Sequence, residues 1–336
     1  MPLEIGADFD RYRLEALVGQ GGMGRVYRAY DARLRRRVAL KVLQTTEVDD
    51  AIDPERVLRE ARAAAALDHP GVVAIFDVGA AEGHSFIAME YVVGRSLRTM
   101  IGADAAPISE RLRWLVEVAR SLAAAHRAGL VHRDIKPENV MVREDGVVKL
   151  LDFGIARLSD PHTPVLEDSL GARRSARDES TVAGTPSYMA PEQAQRRRVD
   201  ARADQFSWGV LAYELLSGAL PWRSVLDGVP PSVAVITERP APLDAAALDL
   251  PTLVAEVIGR ALEKAPERRF PTMDALVAAL EDDGPMWLSD APGGEVGHPT
   301  IPEGGTTRAM TPPPHPAGRR VRPRTLGLVG VALAGV

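Results

Sequence analysis

Apolar and polar residues alternate along three short stretches near the start of the chain, as they do in strands with one buried face. These stretches cover residues 12–18, 26–30 and 37–43. A glycine-rich run separates the first two, so the pattern predicts a hairpin there rather than a strand followed by a helix. The beginning of the chain is therefore expected to form a small antiparallel sheet.

Helical spacing of apolar residues appears next and dominates after about residue 92. Residues 54–67 form the first predicted helix, since Asp53 is a favourable N-cap and proline suits the first turn. A second apolar stripe runs from Ser109 to Gly129, and the segment 204–216 is apolar on nearly all sides, as in a buried helix. The prediction is an α+β fold of two lobes across residues 9–280: a small antiparallel β-sheet lobe with one key helix (9–91) and a larger, mainly helical lobe (92–280).

The composition is that of an ordinary globular protein, with 46% hydrophobic and 26% charged residues. A net charge of −5 gives no support for nucleic-acid binding. The chain contains no cysteine, which excludes disulfides and thiol chemistry and fits a reducing compartment. The first residues lack a basic stretch and an apolar core, so no secretory signal peptide is predicted.

The most informative short segment is His-Arg-Asp-Ile-Lys-Pro-Glu-Asn at residues 132–139. One short loop thereby holds a carboxylate, an ammonium group and an amide: Asp134, Lys136 and Asn139. These groups can accept a proton, face a phosphate and hold a metal ion. Since phosphoryl transfer depends chiefly on positioning and charge neutralisation, the segment indicates that chemistry.

A hairpin is predicted directly after this loop, with Asp145-Gly146 as a two-residue turn. In that register Glu144 faces Val147, and Asn139 faces Asp152. Each polar residue alone would be read as a turn residue. An amide and a carboxylate that meet, however, suit Mg²⁺, which takes one or two protein ligands beside phosphate and water.

The glycine-rich run is Gly19-Gln20-Gly21-Gly22-Met23-Gly24-Arg25-Val26. Because strands flank it, we interpret it as a flap whose backbone N–H groups can approach phosphates. Lys41 lies in the third strand among apolar neighbours, where it could also be a solvated residue. Composition favours a specific role, because arginine fills most basic positions and the only lysines are Lys41, Lys136, Lys149 and Lys264.

Glu60 is the predicted partner of Lys41. It stands beside the stripe formed by Val57, Ala61 and Ala64 on the first helix. A carboxylate against an apolar surface is costly without a counter-charge. The alternative is that Glu60 is a solvated helix residue.

These motifs follow the order found in bacterial serine/threonine protein kinases of the eukaryotic-like (Hanks) type, which the chain resembles from about Phe9 to Leu280. The set comprises the glycine loop, Val38-Ala39-Leu40-Lys41, the segment 132–139, Asp152-Phe153-Gly154 and Gly184-Thr185-Pro186-Ser187-Tyr188-Met189-Ala190-Pro191-Glu192. Leu40 replaces the commoner isoleucine, and no essential motif residue is missing.

The resemblance implies that Asp134 accepts the proton of a substrate hydroxyl while Lys136 steadies the transferred phosphate. Lys41 would bind the α- and β-phosphates of ATP and pair with Glu60. The Mg²⁺ ligands would be Asn139 and Asp152. The implied nucleotide contacts are Val18, Gly19, Gln20, Gly21, Gly22, Met23, Gly24, Arg25, Val26, Ala39, Lys41, Met89, Glu90 and Val92.

Further roles follow from the same resemblance. Met89 would guard the back of the nucleotide pocket, and Glu90-Tyr91-Val92 would be the hinge that binds adenine. Asp204 would brace the catalytic loop, and Glu192 would pair with Arg269. Lys136 and the Gly-Thr-Pro motif resemble kinases that act on Ser/Thr hydroxyls of protein substrates.

The polar segment 158–182 carries arginines beside hydroxyl residues that include Thr163, Ser169, Ser175, Ser180 and Thr181. It is either a disordered surface loop or a phosphorylation switch in which a phosphate pairs with Arg133 and orders the loop. We expect activation by autophosphorylation, chiefly at Thr181 or Ser180, through self-association of two copies. Thr185 is expected to line the catalytic site instead.

After the kinase-like region, residues 281–318 are rich in Pro, Gly and Thr, which predicts a flexible linker. Four arginines within residues 319–324 then precede the apolar segment 326–336. About 11 apolar residues are fewer than the roughly 20 that span a bilayer. Three interpretations compete: the chain is cut inside a transmembrane helix, the sequence is mispredicted at its end, or the tail touches a membrane or partner. We favour the first, with the kinase held on the cytoplasmic face of the cell membrane by the arginines.

Two other function classes remain open. A kinase fold can serve as an ATP-binding scaffold without turnover, and related folds phosphorylate small molecules. The intact set Lys41, Asp134, Asn139 and Asp152 favours an active enzyme. The segment 184–192, which resembles a peptide-docking region, favours protein substrates.

Overall fold

A computed structural model describes residues 3–21, 24–43, 61–102, 106–152 and 186–282. Six antiparallel strands form the sheet at the start of the chain, in the spatial order β1-β2-β3-β4-β6-β5. The strands are β1 (Asp8–Phe9), β2 (Tyr12–Gly21), β3 (Gly24–Asp31), β4 (Arg36–Leu43), β5 (Ile75–Ala81) and β6 (His84–Glu90). The three strands predicted from alternation are β2, β3 and β4.

The two faces of this sheet carry different sets of residues, because successive side chains along a strand point to opposite sides. One face buries a cluster of aromatic and branched residues: Phe9, Tyr12, Leu14, Tyr27, Ala29, Val38, Leu40, Val42, Phe86 and Ala88. On the other face, Val26 pairs with Lys41 and Ala39 pairs with Met89. These four residues therefore line one side of the sheet, opposite the core of the small lobe.

The flap predicted from the glycines is the hairpin of β2 and β3, in which Gly21 pairs with Gly24. Gly24 has a φ of 151°, and a Cβ built on it would lie 2.2 Å from the carbonyl oxygen of Val42. Only glycine permits this close approach of β3 to β4. Gly22 and Met23, at the tip, lie outside the described residues.

Residues 61–65 are helical, in agreement with the end of the helix predicted at 54–67. Ala61 and Ala64 are buried, as expected from their place on the inward stripe. Ala61 packs with Ile87 of β6. Val57 and Glu60 lie outside the described residues.

A second, smaller sheet has three strands, one of which directly follows the segment 132–139. Its strands are β7 (Gly94–Ser96), β8 (Val140–Arg143) and β9 (Val148–Leu150), in the order β7-β8-β9. The two-residue turn predicted between β8 and β9 is wrong. Val142 pairs with Val148, so the loop has three residues: Glu144, Asp145 and Gly146.

The physical reason for the longer turn is that only its glycine has a positive φ, of 81°. A two-residue type I′ turn would require this conformation of Asp145 as well. Instead the N–H of Gly146 donates to Arg143 O at 2.9 Å, and Asp145 Oδ1 accepts from the N–H of Val147 at 3.2 Å. The register therefore shifts by one residue, and Leu151, not Asp152, bonds to Asn139.

The remaining described chain is mainly helical. Its α-helices are α1 (Ile108–Arg127), α2 (Pro191–Ala194), α3 (Arg202–Ser217), α4 (Pro231–Thr237), α5 (Thr252–Ala261) and α6 (Met273–Glu281). Short 3₁₀ turns occur at Leu97–Met100, Pro137–Asn139, Pro186–Tyr188, Ser224–Asp227 and Pro266–Arg268. Helix α1 matches the stripe predicted from Ser109 to Gly129.

Helix α3 passes through the centre of the large lobe and is buried on nearly all sides, as its uniformly apolar sequence predicts. It packs on α1 and α5, and Trp208 Nε1 donates to Leu115 O at 3.0 Å. The predicted two-lobed α+β architecture is confirmed: an antiparallel sheet lobe is followed by a mainly helical lobe.

Membrane contact was predicted only for the end of the chain. Within the described ranges, no helix is both long and apolar enough to cross a bilayer. Glu281, the first residue of the predicted linker, instead ends helix α6. The linker from residue 283 onwards, the arginines at 319–324 and the apolar segment 326–336 lie outside those ranges, as does the polar segment 158–182.

Candidate active site

Asp134 is held by two residues of its own loop. Lys136 Nζ lies 2.8 Å from Asp134 Oδ2, and Asn139 Nδ2 donates to the same oxygen at 2.9 Å. Asn139 Nδ2 also donates to the backbone oxygen of Asp134 at 2.8 Å. The 3₁₀ turn Pro137–Asn139 brings the amide back to the carboxylate. Because 19% of the Asp134 side chain is exposed, a substrate group can still reach it.

The backbone of this loop is fixed from the buried helix α3. Arg133 has a φ of 64°, a conformation that costs free energy for a residue other than glycine. Asp204 compensates by accepting the N–H groups of His132 and Arg133, each at 2.7 Å. The bracing role predicted for Asp204 by resemblance is confirmed.

The charge of Asp204 is stabilised by its surroundings. Complete burial would raise the pKa of this carboxyl group, but a hydrogen bond from His126 Nε2 at 2.8 Å and the backbone donors lower it. The balance keeps the pKa below its ordinary value. Asp204 is therefore a carboxylate, which can accept all three hydrogen bonds at once.

His132 links the catalytic loop to the strand that precedes Asp152. Its Nε2 lies 2.7 Å from Leu151 O, and its Nδ1 accepts the N–H of Asp134 at 3.3 Å. These partners place the ring proton on Nε2. Burial lowers the pKa of His132 more than the carboxylates of Asp204 and Asp134 raise it, so the ring is neutral. Sequence reasoning assigned no role to this residue.

A second pair of charges faces the sheet lobe. Lys41 Nζ, which is nearly buried, lies 2.8 Å from Asp152 Oδ2. Burial would raise the pKa of Asp152, but the ammonium groups of Lys41 and Lys136 help to lower it. Asp152 has a φ of 51°, so its backbone turns sharply after β9.

The predicted Lys41–Glu60 pair falls partly outside the described residues. Ala61, which follows Glu60, packs with Ile87, and Ile87 pairs with Lys41 across β4 and β6. The start of the described helical segment is therefore on the same side of the sheet as Lys41.

Five predicted residues thus converge from distant parts of the chain. The hydrogen bond from Leu151 N to Asn139 O, 2.8 Å long, joins the catalytic loop to the residue before Asp152. Asp152 is still close to the catalytic loop although the hairpin register is shifted, because Leu151, which bonds to Asn139, directly precedes it. The group consists of Lys41, Asp134, Lys136, Asn139 and Asp152.

The described members of the predicted nucleotide-binding set lie in the six-stranded sheet or directly after it. Val26, Ala39 and Met89 share the face that carries Lys41, and Met89 is buried. Glu90 ends β6, and Val92 follows in the connection to β7. The other described members lie on the β2–β3 flap: Val18, Gly19, Gln20, Gly21, Gly24 and Arg25.

A cluster missed by the sequence analysis lies next to the catalytic loop. Arg98 donates to Glu138 at 2.7 Å and to Glu214 at 2.8 Å, and it also contacts the hydroxyl of Tyr188. Burial and the hydrogen-bonded Glu214 raise the pKa of Tyr188. The cluster ties the catalytic loop, α3 and the segment 186–192 together. Its members are far apart in the chain, so no local pattern reveals it.

The segment 186–192 is anchored at both ends. Trp222 Nε1 donates to Ser187 O at 3.1 Å, and Ser207 Oγ donates to Tyr188 O at 2.7 Å. Glu192 forms a two-bond ion pair with Arg269, at 2.6 and 2.9 Å. This pair is buried, which confirms the ion pair predicted by resemblance.

Comparison with known proteins identifies the family of this chain. The model of the protein kinase domain family matches residues 12–278. The serine/threonine-protein kinase pkn3 of Myxococcus xanthus is 40% identical over 81% of this chain and 49% of its own length. The serine/threonine-protein kinase PknB of Mycolicibacterium smegmatis is 37% identical over 92% of this chain and 50% of its own length.

Among solved structures, the Mycobacterium tuberculosis PknI kinase domain matches with a TM-score of 0.63 and 30% identity. The match covers 84% of this chain and 99% of that one. The chain spans about half the length of the curated relatives named above. It belongs to the protein kinase family, within the bacterial serine/threonine branch.

Proposed function

We propose that this domain transfers the γ-phosphate of ATP to Ser/Thr hydroxyls of proteins. The observation that carries the proposal is the orientation of Asp134 by Lys136 and Asn139, next to the Lys41–Asp152 pair. Asp134 accepts the proton of the attacking hydroxyl. Lys136 and Lys41 supply positive charge to the phosphates, which is the main requirement of this reaction.

Asn139 and Asp152 are the residues that would hold Mg²⁺. Nδ2 of Asn139 is engaged by Asp134, so its amide oxygen is the atom left for a metal. Within the described residues, no group of three or more His, Cys, Asp or Glu side chains forms a metal site. A sparse pair of oxygen donors fits Mg²⁺, which shares its coordination with phosphates and water. When bound, the ion neutralises negative charge on the transferred phosphate.

The nucleotide would lie between the sheet and the catalytic loop. The glycine flap, including Gly22 and Met23, supplies backbone N–H groups to the phosphates. Val18, Val26 and Ala39 cover the base, and Met89 closes the back of the site. The backbone of Glu90 and Val92 binds adenine, and Glu60 pairs with Lys41 in the active state.

We further propose that phosphorylation within residues 158–182 activates the domain. In the described part of the chain, Arg133 Nε is buried and meets no hydrogen-bond acceptor. A phosphate on Thr181 or Ser180 would supply one. Reaction between two copies would require transient self-association. Mass spectrometry of active enzyme should find phosphate on this segment, and an Arg133→Ala variant should lose the activation.

The segment after the kinase domain is proposed to attach the protein to a membrane. Its apolar residues 326–336 follow four arginines, which favour the cytoplasmic leaflet. Liposome sedimentation should retain the chain on anionic vesicles and release it when residues 319–336 are deleted. Equal sedimentation of both forms would exclude this attachment.

The decisive experiment compares wild type with Asp134→Asn, using radiolabelled ATP and a generic basic protein substrate. Loss of a general base lowers the rate by about 10²- to 10⁴-fold. Asp145→Asn, at the exposed β8–β9 turn, is the matched control and should retain activity. If wild type incorporated no more label than Asp134→Asn, the label would be background, and the alternative of an ATP-binding scaffold without turnover would be favoured.

A further inference from the structure

One partly buried ion pair connects the sheet lobe to the helical lobe. Glu90 ends β6, and Lys149 lies in the middle of β9. Lys149 Nζ is 2.8 Å from Glu90 Oε2, and the two side chains are 10% and 22% exposed. Arg143 lies 3.8 Å from the other oxygen, but its closer partner is Asp145 at 2.7 Å. Lys149 is therefore the main counter-charge of Glu90.

The chain segment 71–74 runs between the two residues and bonds to both strands. Leu150 N donates to Gly71 O at 2.8 Å, and Val73 N donates to Leu150 O at 3.0 Å. On the other side, Glu90 N donates to Ala74 O at 2.9 Å. Strands β6 and β9, which belong to different sheets, are thus joined through one short segment.

The same segment also faces the charged ends of the pair. Ala74 N lies 3.5 Å from Glu90 Oε2, and Lys149 Nζ lies 3.5 Å from Val72 O. The carboxylate is directed at an N–H group and the ammonium at a carbonyl group, so each has a partner of the correct polarity. This arrangement specifies the relative position of the two strands better than apolar contacts would.

Glu90 and Lys149 lie close in sequence to the two ends of the proposed nucleotide site. Glu90 directly follows Met89 and begins the proposed adenine-binding hinge. Lys149 stands three residues before Asp152, which pairs with Lys41. A bound nucleotide has to reach the hinge with its base and Asp152 with its metal-bound phosphates. Glu90 and Lys149 lie on the two strands that lead to these two places.

We propose that the Glu90–Lys149 ion pair holds the hinge and Asp152 at the spacing that Mg-nucleotide requires. The inference rests on the proposed nucleotide site and names two positioning residues that act through the hinge and Asp152. Preorganisation lowers the free energy spent on ordering a site when its ligand binds. Ligands that engage both ends of the site gain from the pair, whereas ligands that engage the hinge alone do not.

The test measures calorimetrically the affinities of two probes, adenosine and adenylyl imidodiphosphate with Mg²⁺. Adenosine reaches only the hinge end. In Lys149→Met, the Mg-nucleotide should bind on the order of tenfold more weakly, a typical coupling between sites. Adenosine affinity should remain within about twofold of wild type, and Lys149→Arg, which keeps a positive charge opposite Glu90, should lose less Mg-nucleotide affinity than Lys149→Met.

Glu90→Gln separates positioning from the general electrostatic field. Removing a negative charge should strengthen the binding of an anionic nucleotide if only the field matters. If the pair positions the site, Glu90→Gln weakens Mg-nucleotide binding as Lys149→Met does. Arg120→Gln removes an exposed cation that pairs with Glu281 within the helical lobe, and it should leave both affinities unchanged.

Opposite effects of Glu90→Gln and Lys149→Met would overturn the proposal. So would unchanged affinities, or equal weakening of adenosine and Mg-nucleotide in both variants. Failure of the proposed function looks different: wild type would bind Mg-nucleotide yet transfer no phosphate, and the comparison of variants would still hold. If wild type bound no Mg-nucleotide, both proposals would fall.

Discussion

Asp204 accepts the backbone N–H of Arg133 at 2.7 Å, although the two residues are 71 positions apart in the chain. Arg133 has a left-handed backbone conformation and directly precedes Asp134. The buried helix α3 therefore determines the direction in which the carboxylate of Asp134 leaves its loop. Rigid support of this kind is expected where a strained backbone conformation persists at a functional site.

Asp204→Asn should damage both stability and catalysis. All three groups that face this carboxylate are donors, so either orientation of the asparagine amide directs its NH₂ at an N–H. One unsatisfied buried backbone group costs about 1–3 kcal/mol. We expect chemical denaturation to show a loss of that size, and steady-state kinetics to show a larger decrease in kcat than increase in KM for ATP.

The control for this prediction is Asp200→Asn. Asp200 also pairs with a residue of α3, Arg202 at 2.7 Å, but its side chain is half exposed. An exposed pair contributes less than about 1 kcal/mol. Similar losses of stability and kcat in Asp200→Asn and Asp204→Asn would contradict the bracing role.

His132 predicts a pH dependence of stability. Burial lowers its pKa in the folded protein, whereas the unfolded chain has an ordinary histidine pKa of about 6.5. Between these two values the unfolded state binds more protons, so the free energy of unfolding falls as the pH decreases below about 6.5. A single histidine contributes at most about 1.4 kcal/mol per pH unit.

His132→Gln removes the titrating imidazole but keeps a side-chain N–H donor for Leu151 O. Denaturation curves between pH 7 and 5 should show a shallower loss of stability in the variant than in wild type. The pKa of His69 is also lowered, by burial and by Arg127, and acts in the same direction. The difference between the two proteins, rather than the wild-type slope alone, therefore measures His132. Parallel curves would show that the pKa of His132 does not differ between the folded and unfolded states.

Local signals in the sequence were sufficient for much of this architecture. The glycine flap lies between β2 and β3 as expected, and α1 and α3 occupy the segments with the predicted apolar patterns. The loop contacts of Asp134 also follow from short spacing, because Lys136 and Asn139 lie within one turn of chain. The flap, the two helices and the contacts of Asp134 all depend on residues that are close together in the sequence.

Sequence reasoning failed where several local structures suit the same residues. Asp-Gly permits a two-residue turn, but it also fits a three-residue turn with glycine in the left-handed position. Asp145 decides between them through its bonds to Val147 N and to Arg143. The Arg98–Glu214–Tyr188 cluster could not be predicted, because its members are 26 to 116 positions apart. The scarcity of lysine drew attention to Lys149 but gave no indication of Glu90.

Arg269→Met should destabilise the helical lobe strongly. Glu192 is nearly buried, and the guanidinium of Arg269 also donates to the carbonyl oxygens of Arg202 and Glu263, each at 2.8 Å. Removing one partner of a buried ion pair typically costs about 3–5 kcal/mol. Arg127→Met, which removes an exposed pair with Asp274, is the control and should cost less than about 1 kcal/mol. Equal shifts in the denaturation midpoint of the two variants would show that the buried pair contributes no more to stability than the exposed pair.

Gly24→Ala should disrupt the flap, whereas Gly21→Ala should not. The Cβ of an alanine at position 24 would lie 2.2 Å from Val42 O, and the residue would also keep an unfavourable φ of 151°. Strands β3 and β4 would have to separate, so Lys41, which pairs with Val26, would move. We expect a loss of a few kcal/mol in the unfolding of the sheet lobe and a weaker binding of ATP.

Gly21 is the partner of Gly24 across the same hairpin, and a Cβ there meets no atom within 4 Å. Alanine at position 21 should therefore leave the melting temperature nearly unchanged, even if it alters nucleotide affinity through the flap. Thermal unfolding separates the two effects because it needs no ligand. If Gly24→Ala melted at the wild-type temperature, the close approach of β3 to β4 would not be required for the fold of this lobe.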